Sequence, residues 1–227
     1  MKGKLYIVAT PIGNLEDITF RAIDILKKVS FILAEDTRET GKLLNRYDIK
    51  TQMVSYRDQN HERIFPKVIE KLDIGLNLAL VSDCGTPLIS DPGYRLVSEL
   101  RELNYEVIPV PGPSALTSAV SVSGMPTDKF VFLGFLPKSE GKRVQLLKKY
   151  GELEATLAIY ESPHRLVKLL EEILESLGDR DVFLAKDISK KRESFIYDKV
   201  SSIISDLKKE KEIFGEYVVL VRGNTKE

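Results

Sequence analysis

The sequence lacks features that mark several common classes of protein. Cys84 is the single cysteine among 227 residues, so no disulfide can form within the chain, as expected in a reducing cytoplasm. Neither sign of charge is in excess, because 34 Lys and Arg residues balance 34 Asp and Glu residues. This balance excludes a surface that attracts nucleic acid everywhere, but it leaves local basic patches open. No apolar run approaches the roughly 20 residues of a membrane helix, and no secretory signal precedes the first strand. We therefore expect a soluble, cytoplasmic protein without a membrane partner.

The signatures of phosphate-bearing cofactors and of metal chemistry are also missing. The loop TPIGN at 10–14 has one glycine where the dinucleotide fingerprint has three, and Pro11 has no amide hydrogen for a pyrophosphate. No Walker A pattern occurs. A metal-dependent phosphohydrolase could use Asp83 and Asp91, but the D-x-D expected after a first strand is absent, and we predict no metal site. Adenosyl cofactors without phosphate remain, chiefly S-adenosylmethionine.

What the chain does contain is a regular alternation of apolar strands and amphipathic helices. Strands are expected at 4–9, 31–36, 51–56, 76–83, 106–112, 130–137, 155–163, 181–188, 195–199 and 216–223. Helices are expected at 17–29 with Asp17 as cap, around 43–44, at 60–73 with a break at Pro66, and at 91–103, 113–124, 141–150, 164–177 and 200–210. Strands that are apolar throughout and alternate with helices predict an α/β fold with a mostly parallel first sheet. Short, closely spaced strands near the C-terminus predict a mixed second sheet. The segment MPTDK at 125–129 is a plausible junction, which gives domains 1–125 and 126–227.

Gly, Pro and hydroxyl-bearing residues are concentrated in the loops that follow the strands. These loops are TPIGN (10–14), EDTR (35–38), SDCGTPLISDPG (82–93), PGPSA (111–115), GFLP (134–137) and YESPHR (160–165). Ligands of open α/β sheets bind outside the carboxyl ends of the strands. Any one of these loops could be a tight turn, but several on one edge predict a shared pocket. Asp91, just before Pro92, is expected to cap a helix rather than to bind a ligand.

These segments resemble the ribosomal RNA small subunit methyltransferase I family of the tetrapyrrole-methylase superfamily. The matching stretches are LYIVATPIGNLEDIT (5–19), AEDTR (34–38), SDCGTPLISDPGY (82–94), PGPSA, GFLP, YESPHR and GEYVVLV (215–221). The resemblance covers essentially the whole chain. It implies two tetrapyrrole-methylase-like α/β domains with the cofactor cleft between them, and a homodimer. It also implies methyl transfer from S-adenosylmethionine to the ribose 2′-hydroxyl of a cytidine in the decoding region of 16S rRNA, within the 30S subunit.

The resemblance also assigns roles to individual residues. It implies cofactor contacts at Ile12, Asp83, Thr86, Ser114, Ala115 and Tyr160. A carboxylate at Asp83 can accept hydrogen bonds from a ligand ammonium or from ribose hydroxyls, and its alternative role is a turn-bonding aspartate. Two other functions stay open: a superfamily methyltransferase acting on a tetrapyrrole or a protein, and a non-catalytic RNA-binding module.

The chemistry of the transfer suggests further candidates. Methyl transfer is an in-line displacement, and a base that takes the proton of a ribose hydroxyl would help it. Candidate bases at the strand ends are Glu35, Asp36, Asp83, Glu161 and His164, of which we select Asp36 and His164 as catalytic. An imidazole such as that of His164 can accept a proton, but the residue could equally be a cap or packing residue. We expect RNA contacts at Arg38, Arg165, Lys190, Lys191 and Arg192, with further basic groups at Lys148-Lys149 and at Lys138, Lys142 and Arg143.

Overall fold

The computed structural model describes residues 2–224. Contacts within the chain divide it into two compact units, Met1–Ser114 and Ala115–Glu227. The division falls before the small-residue helix of the PGPSALTSAVSV segment, which therefore groups with the second unit rather than the first. The boundary that the sequence suggested, at 125/126, lies after this helix.

The first unit is built on a five-stranded sheet in which every strand pair is parallel. Its strands are β1 (Lys4–Val8), β2 (Phe31–Ala34), β3 (Gln52–Ser55), β4 (Leu78–Val81) and β5 (Glu106–Val110), in the order β3-β2-β4-β1-β5. Its helices are α1 (Phe20–Lys28), α2 (Thr37–Arg46), α3 (His61–Asp73) and α4 (Tyr94–Glu102). Because the strands are parallel, their carboxyl ends lie at one edge, as the loop pattern predicted.

Side chains of the first sheet alternate between two buried clusters, one on each face. Val8, Ala34, Ala79 and Val81 contribute to one cluster, which α1 and α2 complete with Leu26 and Leu43. Leu5, Leu33, Leu78 and Leu80 contribute to the other, which α3 and α4 complete with Val68 and Leu96. Burial on both faces explains why these strands are apolar throughout.

The predicted caps of two helices and the predicted break in a third were wrong. Thr19 rather than Asp17 caps α1, and its hydroxyl accepts the amide of Ala22 at 3.1 Å. Helix α3 continues through Pro66, because Pro66 lies on the exposed face while Ile64 and Val68 bury the opposite face. Helix α4 begins at Tyr94 after the cap position Gly93, so Asp91 is a loop residue and does not cap it.

The second unit contains a five-stranded mixed sheet, as predicted. Its strands are β6 (Phe130–Phe135), β7 (Thr156–Glu161), β8 (Asp181–Lys186), β9 (Ser194–Lys199) and β10 (Tyr217–Val221), in the order β6-β7-β10-β8-β9. Only the β6–β7 pair is parallel among the described strands of this sheet. Its helices are α5 (Ala115–Val122), α6 (Glu140–Gly151), α7 (Pro163–Leu177) and α8 (Val200–Leu207).

Two clusters again cover the faces of this sheet. Leu157 and Ile159 of β7 join the larger cluster, which α6, α7 and α8 cover. Ala158 of β7 joins the smaller cluster, which α5 covers with Leu116, Ala119 and Val120. The edge strand β9 differs from the rest, because all six of its residues are exposed.

Candidate active site

Hydrogen bonds join the loops that follow β1, β4 and β5 in the first unit. Thr10 and Gly85 exchange backbone hydrogen bonds of 2.8 and 3.1 Å, and the Thr10 hydroxyl donates to the carbonyl of Ser82. The Thr86 hydroxyl donates to the carbonyl of Pro113 at 3.1 Å. Gly85 has a φ of 83°, and a Cβ there would come within 3.2 Å of the side chain of buried Ile12. The structure therefore brings Ile12 and Thr86 together, and it commits the Thr86 hydroxyl to holding the loops.

A second set of hydrogen bonds joins the loops after β2 and β4. The carboxylate of Asp83 accepts the backbone N–H of Asp36 at 2.9 Å. The carboxylate of Glu35 in turn accepts a hydrogen bond from the backbone of Asp83. The two segments thus exchange side-chain-to-backbone hydrogen bonds in both directions. Asp83 remains exposed, so its carboxylate has further acceptor capacity toward a ligand.

Several carboxylates lie close together at this edge of the sheet, and the pKa values of two of them are raised. Burial, together with the charges of Glu35 and Asp83, raises the pKa of Asp91 to about 6 against the opposing hydrogen bond from Ser82. Burial and the neighbouring charge of Asp83 also raise the pKa of Glu35. Sequence reasoning placed Asp91 at a helix start, but the chain before α4 is an irregular loop in which Leu88 and Ser90 have φ values of 73° and 67°. No group of residues within 2–224 has the composition and geometry of a metal site.

Asp36, predicted as a catalytic base, is the N-cap of α2. Its carboxylate accepts hydrogen bonds from the backbone N–H of Arg38 at 2.8 Å and from the Arg38 guanidinium at 3.0 and 2.6 Å. These bonds hold the pKa of Asp36 far below its usual range. Asp36 is therefore a weak proton acceptor while Arg38 is in place. The Arg38 side chain is 86% exposed, as its predicted contact with RNA requires.

In the second unit, Tyr160 lies at the carboxyl end of β7 among aromatic rings. Its ring meets those of Phe132 and Phe135 edge to face, with centroids 4.9 and 5.7 Å away. Its hydroxyl accepts the backbone N–H of Leu116 at 3.1 Å, in the first turn of α5. Tyr160 therefore fixes the start of the helix that contains Ala115. Ser114 directly precedes this helix and is half-buried at the end of the first unit.

Two arginines that the sequence suggested as RNA contacts point to the backbone of the GFLPK turn. Arg165 donates to the carbonyl of Leu136 at 2.9 Å and lies 3.2 Å from the carboxylate of buried Glu161. Arg143 is buried, donates to the carbonyls of Pro137 and Lys138 at 3.0 and 2.7 Å, and pairs with the carboxylate of Glu172. The prediction of a possible RNA contact at Arg143 was wrong, because only 5% of its side chain is exposed. Arg165 is 30% exposed, and its RNA contact stays a prediction.

The remaining predicted residues lie on the surface of the second unit. His164 is exposed in the first turn of α7. Lys190 pairs with Glu216 at 2.8 Å and lies 3.6 Å from Asp187. Lys191 and Arg192 are exposed, and the Arg192 guanidinium lies 5.0 Å from the ring centre of Phe214. None of the described helices is long and apolar enough to span a membrane.

Comparisons with known proteins agree with this architecture. The family described as Tetrapyrrole (Corrin/Porphyrin) Methylases matches residues 4–204. Among solved structures, the uroporphyrin-III-C-methyltransferase of Thermus thermophilus superposes with a TM-score of 0.68 at 20% identity, covering 97% of this chain and 94% of that one. A cobalt precorrin-4 methyltransferase superposes with a TM-score of 0.69 at 16% identity, covering 96% and 94%. The fold and the family match together define a methyltransferase of the tetrapyrrole methylase family.

Closer relatives narrow the assignment. The Ribosomal RNA small subunit methyltransferase I of Thermotoga maritima is 49% identical over 97% of this chain and 99% of its own length. Proteins of the same name from Halalkalibacterium halodurans and Bacillus subtilis are 47% and 44% identical, over 98% and 99% of this chain and 77% of their own lengths. The chain belongs to the ribosomal RNA small subunit methyltransferase I family.

Proposed function

We propose that this enzyme transfers a methyl group from S-adenosylmethionine to the ribose 2′-hydroxyl of a cytidine in the decoding region of 16S rRNA. The observation that carries the proposal is the 49% identity to the Thermotoga maritima relative over nearly the full length of both chains. Similarity of this extent includes both units and all the loops at the strand ends.

The residues of the first unit are suited to S-adenosylmethionine. The loops after β1, β4 and β5 offer an apolar wall at Ile12 and an exposed carboxylate at Asp83, beside a close backbone approach at Gly85. An ammonium and ribose hydroxyls can donate to such a carboxylate. We propose that Ile12, Asp83, Thr86 and Ser114, with Ala115 and Tyr160 of the second unit, bind the cofactor. When bound, the cofactor supplies an electrophilic methyl group.

The proton of the attacking hydroxyl needs an acceptor. Asp36 can serve only if substrate binding draws Arg38 away, because that guanidinium stabilises the ionised carboxylate. The pKa of Asp91 is raised to about 6 and that of Glu35 is also raised, so both carboxylates are stronger proton acceptors than Asp36. His164 is exposed and stays a candidate.

We propose that the partners are the small ribosomal subunit and a second copy of the chain, in the cytoplasm. Arg38, Arg165 and Lys190–Arg192 would contact phosphates near the target, because exposed guanidinium and ammonium groups position nucleic-acid backbones. Edge strand β9 supports a homodimer. Its residues Phe195, Ile196 and Tyr197 are 44%, 42% and 47% exposed, and an exposed apolar edge strand is a template for pairing with another chain.

Two experiments test the proposed function. Calorimetry should show saturable binding of S-adenosylmethionine and none of NAD or ATP, and the reverse result would overturn the cofactor assignment. Tritiated S-adenosylmethionine should then be offered with small subunits, naked small-subunit rRNA and large subunits, and the label should be mapped. Label on a cytidine ribose of small-subunit rRNA is expected. Label on a base, on large-subunit rRNA, or on no RNA would contradict the proposal.

A further inference from the structure

Strand β6 ends at Phe135, an exposed aromatic residue that a β-bulge places on the same face of the sheet as Phe132. Phe132 pairs with Ala158 and Phe135 pairs with Tyr160, so three residue steps on β6 lie opposite two steps on β7. Gly134 within this bulge has a φ of 59°, a conformation that favours glycine. Regular alternation would place Phe135 on the face opposite Phe132. The bulge instead brings both rings against Tyr160, and bulges commonly redirect a side chain in this way.

The backbone that follows Phe135 is fixed from two helices. The carbonyls of Leu136, Pro137 and Lys138 accept hydrogen bonds from the two arginines of the GFLPK turn, Arg165 of α7 and Arg143 of α6. Each arginine is held in turn by a buried carboxylate, Glu161 or Glu172. The Arg143–Glu172 pair is buried and Arg165 is partly exposed, so hydrogen bonds from both arginines hold the backbone of the turn in one position.

Phe135 stays mostly exposed in this arrangement. Its side chain is 58% exposed although Leu136, the next residue, is 2% exposed. A large apolar ring held rigidly in solvent is a feature of binding surfaces. On its inner side the ring meets Tyr160. Two exposed residues that can be cationic lie nearby in the chain or the sheet: Lys138 on the same turn, and His164 at the start of α7, which follows the neighbouring strand.

A rigid aromatic ring beside cationic groups is suited to an unstacked nucleobase. Proteins recognise single-stranded RNA by stacking bases on aromatic side chains while cationic side chains contact the backbone. We propose that Phe135 is a stacking platform for an unpaired base of the RNA substrate, with Lys138 contacting the adjoining phosphate. This inference rests on the proposed function, because it names a contact of the same RNA.

The test compares Phe135→Ala, Phe135→Leu and Phe135→Trp in methyl transfer to small subunits. Loss of the ring in the Ala and Leu variants should lower kcat/KM for the RNA substrate by roughly tenfold to a hundredfold, the usual effect of losing one base–aromatic stack. The Trp variant should stay close to wild type. Phe130→Ala removes a partly exposed ring at the other end of β6 and should have no effect. Because Phe135 packs against Tyr160, affinity for S-adenosylmethionine and the melting temperature are measured for each variant. Both should be unchanged in Phe135→Leu, so that its lower kcat/KM reports the contact with RNA.

A second readout does not depend on turnover. The chain contains no tryptophan, so Phe135→Trp introduces a single fluorophore at the platform. Its fluorescence should be quenched by a single-stranded oligocytidine RNA. Wild-type kinetics for Phe135→Ala, or equal activity of the Leu and Trp variants, would overturn the inference. So would fluorescence that follows protein concentration instead of RNA, which would mark a contact between copies. If wild type labels no RNA, the proposed function fails, and the quenching titration alone decides whether Phe135 stacks on bases.

Discussion

The carboxylate of Asp83 accepts the backbone N–H of Asp36, 47 residues earlier in the chain, at 2.9 Å. The bond joins the loops after two neighbouring strands, β2 and β4. Asp83 therefore has a structural role that is separate from its proposed contact with the cofactor, and two substitutions can distinguish these roles.

Asp83→Ala should lower both stability and cofactor affinity, whereas Asp83→Asn should mainly lower affinity. The amide oxygen of Asn can still accept the Asp36 N–H, but it lacks the charge. Affinity for S-adenosylmethionine should fall by about 1.5–3 kcal/mol in both variants, the range for a hydrogen bond to a charged group. Calorimetry and thermal melting measure the two effects. Unchanged affinity together with a lower melting temperature in Asp83→Ala would leave Asp83 a purely turn-bonding residue.

Asp91 should make the protein less stable as the pH rises through the range from about 4 to about 6. Its pKa is raised to about 6 in the folded protein, above the ordinary value of about 3.9, so the folded state binds more protons in this window. The penalty is absent below the window and complete above it. Asp91→Asn removes the ionisation and should gain stability relative to wild type as the pH increases. Urea unfolding across this range measures the difference, with exposed Asp128→Asn as control; a constant difference would contradict the prediction.

The buried pair of Arg143 and Glu172 should be sensitive to loss of either partner. Glu172→Ala leaves an uncompensated guanidinium and should cost about 3–5 kcal/mol, whereas replacing both residues by apolar ones of similar size should cost far less. Urea unfolding of the single and double variants gives the comparison. Lys168→Ala, which breaks the exposed pair with Glu140, should cost at most about 1 kcal/mol. Equal losses of unfolding free energy in Glu172→Ala and Lys168→Ala would contradict the prediction that the buried pair is the more sensitive one.

Arg38→Ala should weaken RNA engagement while leaving cofactor affinity intact. The guanidinium is exposed and positioned by Asp36, and loss of one phosphate contact should reduce the salt dependence of RNA binding by about one unit of slope. Arg46→Ala, at the other end of α2, is the matched control. Binding of small-subunit rRNA at several salt concentrations measures the slope. An unchanged slope would remove Arg38 from the RNA contact.

Edge strand β9 should be the contact in a homodimer. Ile196→Lys places a charge on this edge and should shift sedimentation at micromolar concentration from dimer to monomer. Ile74→Lys changes an exposed residue of the first unit and should leave the dimer intact. A monomeric wild type would count against the homodimer, and a dimeric Ile196→Lys variant against this edge as its contact.

The sequence predicted the two sheets well, because each depends on a strong repeating pattern. Continuous apolar strands such as Leu78–Val81 can be stable only when both faces are covered, which implies helices on both sides and parallel pairing. Local signals were less reliable where distant packing decides. Pro66 should break a helix, yet the buried face of α3 on either side of it keeps the helix intact.

The meeting of the strand-end loops was predictable, but the contacts within and between them were not. Loops at the carboxyl ends of parallel strands must share an edge, so the convergence of TPIGN, EDTR and SDCGTP follows from topology. The topology does not predict which polar side chains already form hydrogen bonds within the protein. The Thr86 hydroxyl bonds to Pro113, and Arg143 points inward to Glu172, and both depend on residues more than 20 positions away. Gly134 was the signal that sequence reasoning missed, since a glycine within an apolar strand marks a bulge.

The hydrogen bonds from Arg165 and Arg143 to the GFLPK turn (134–138) also affect how mechanical load passes through this part of the molecule. A pull on Phe135 or Lys138 is transmitted through three carbonyl oxygens to guanidinium groups anchored in α6 and α7. Those helices bury Leu147, Leu166 and Leu170 in the largest apolar cluster of the second unit. The turn is therefore held by the helical layer as well as by the sheet, in which Phe135 pairs with Tyr160, so a load at the turn is shared between the two layers.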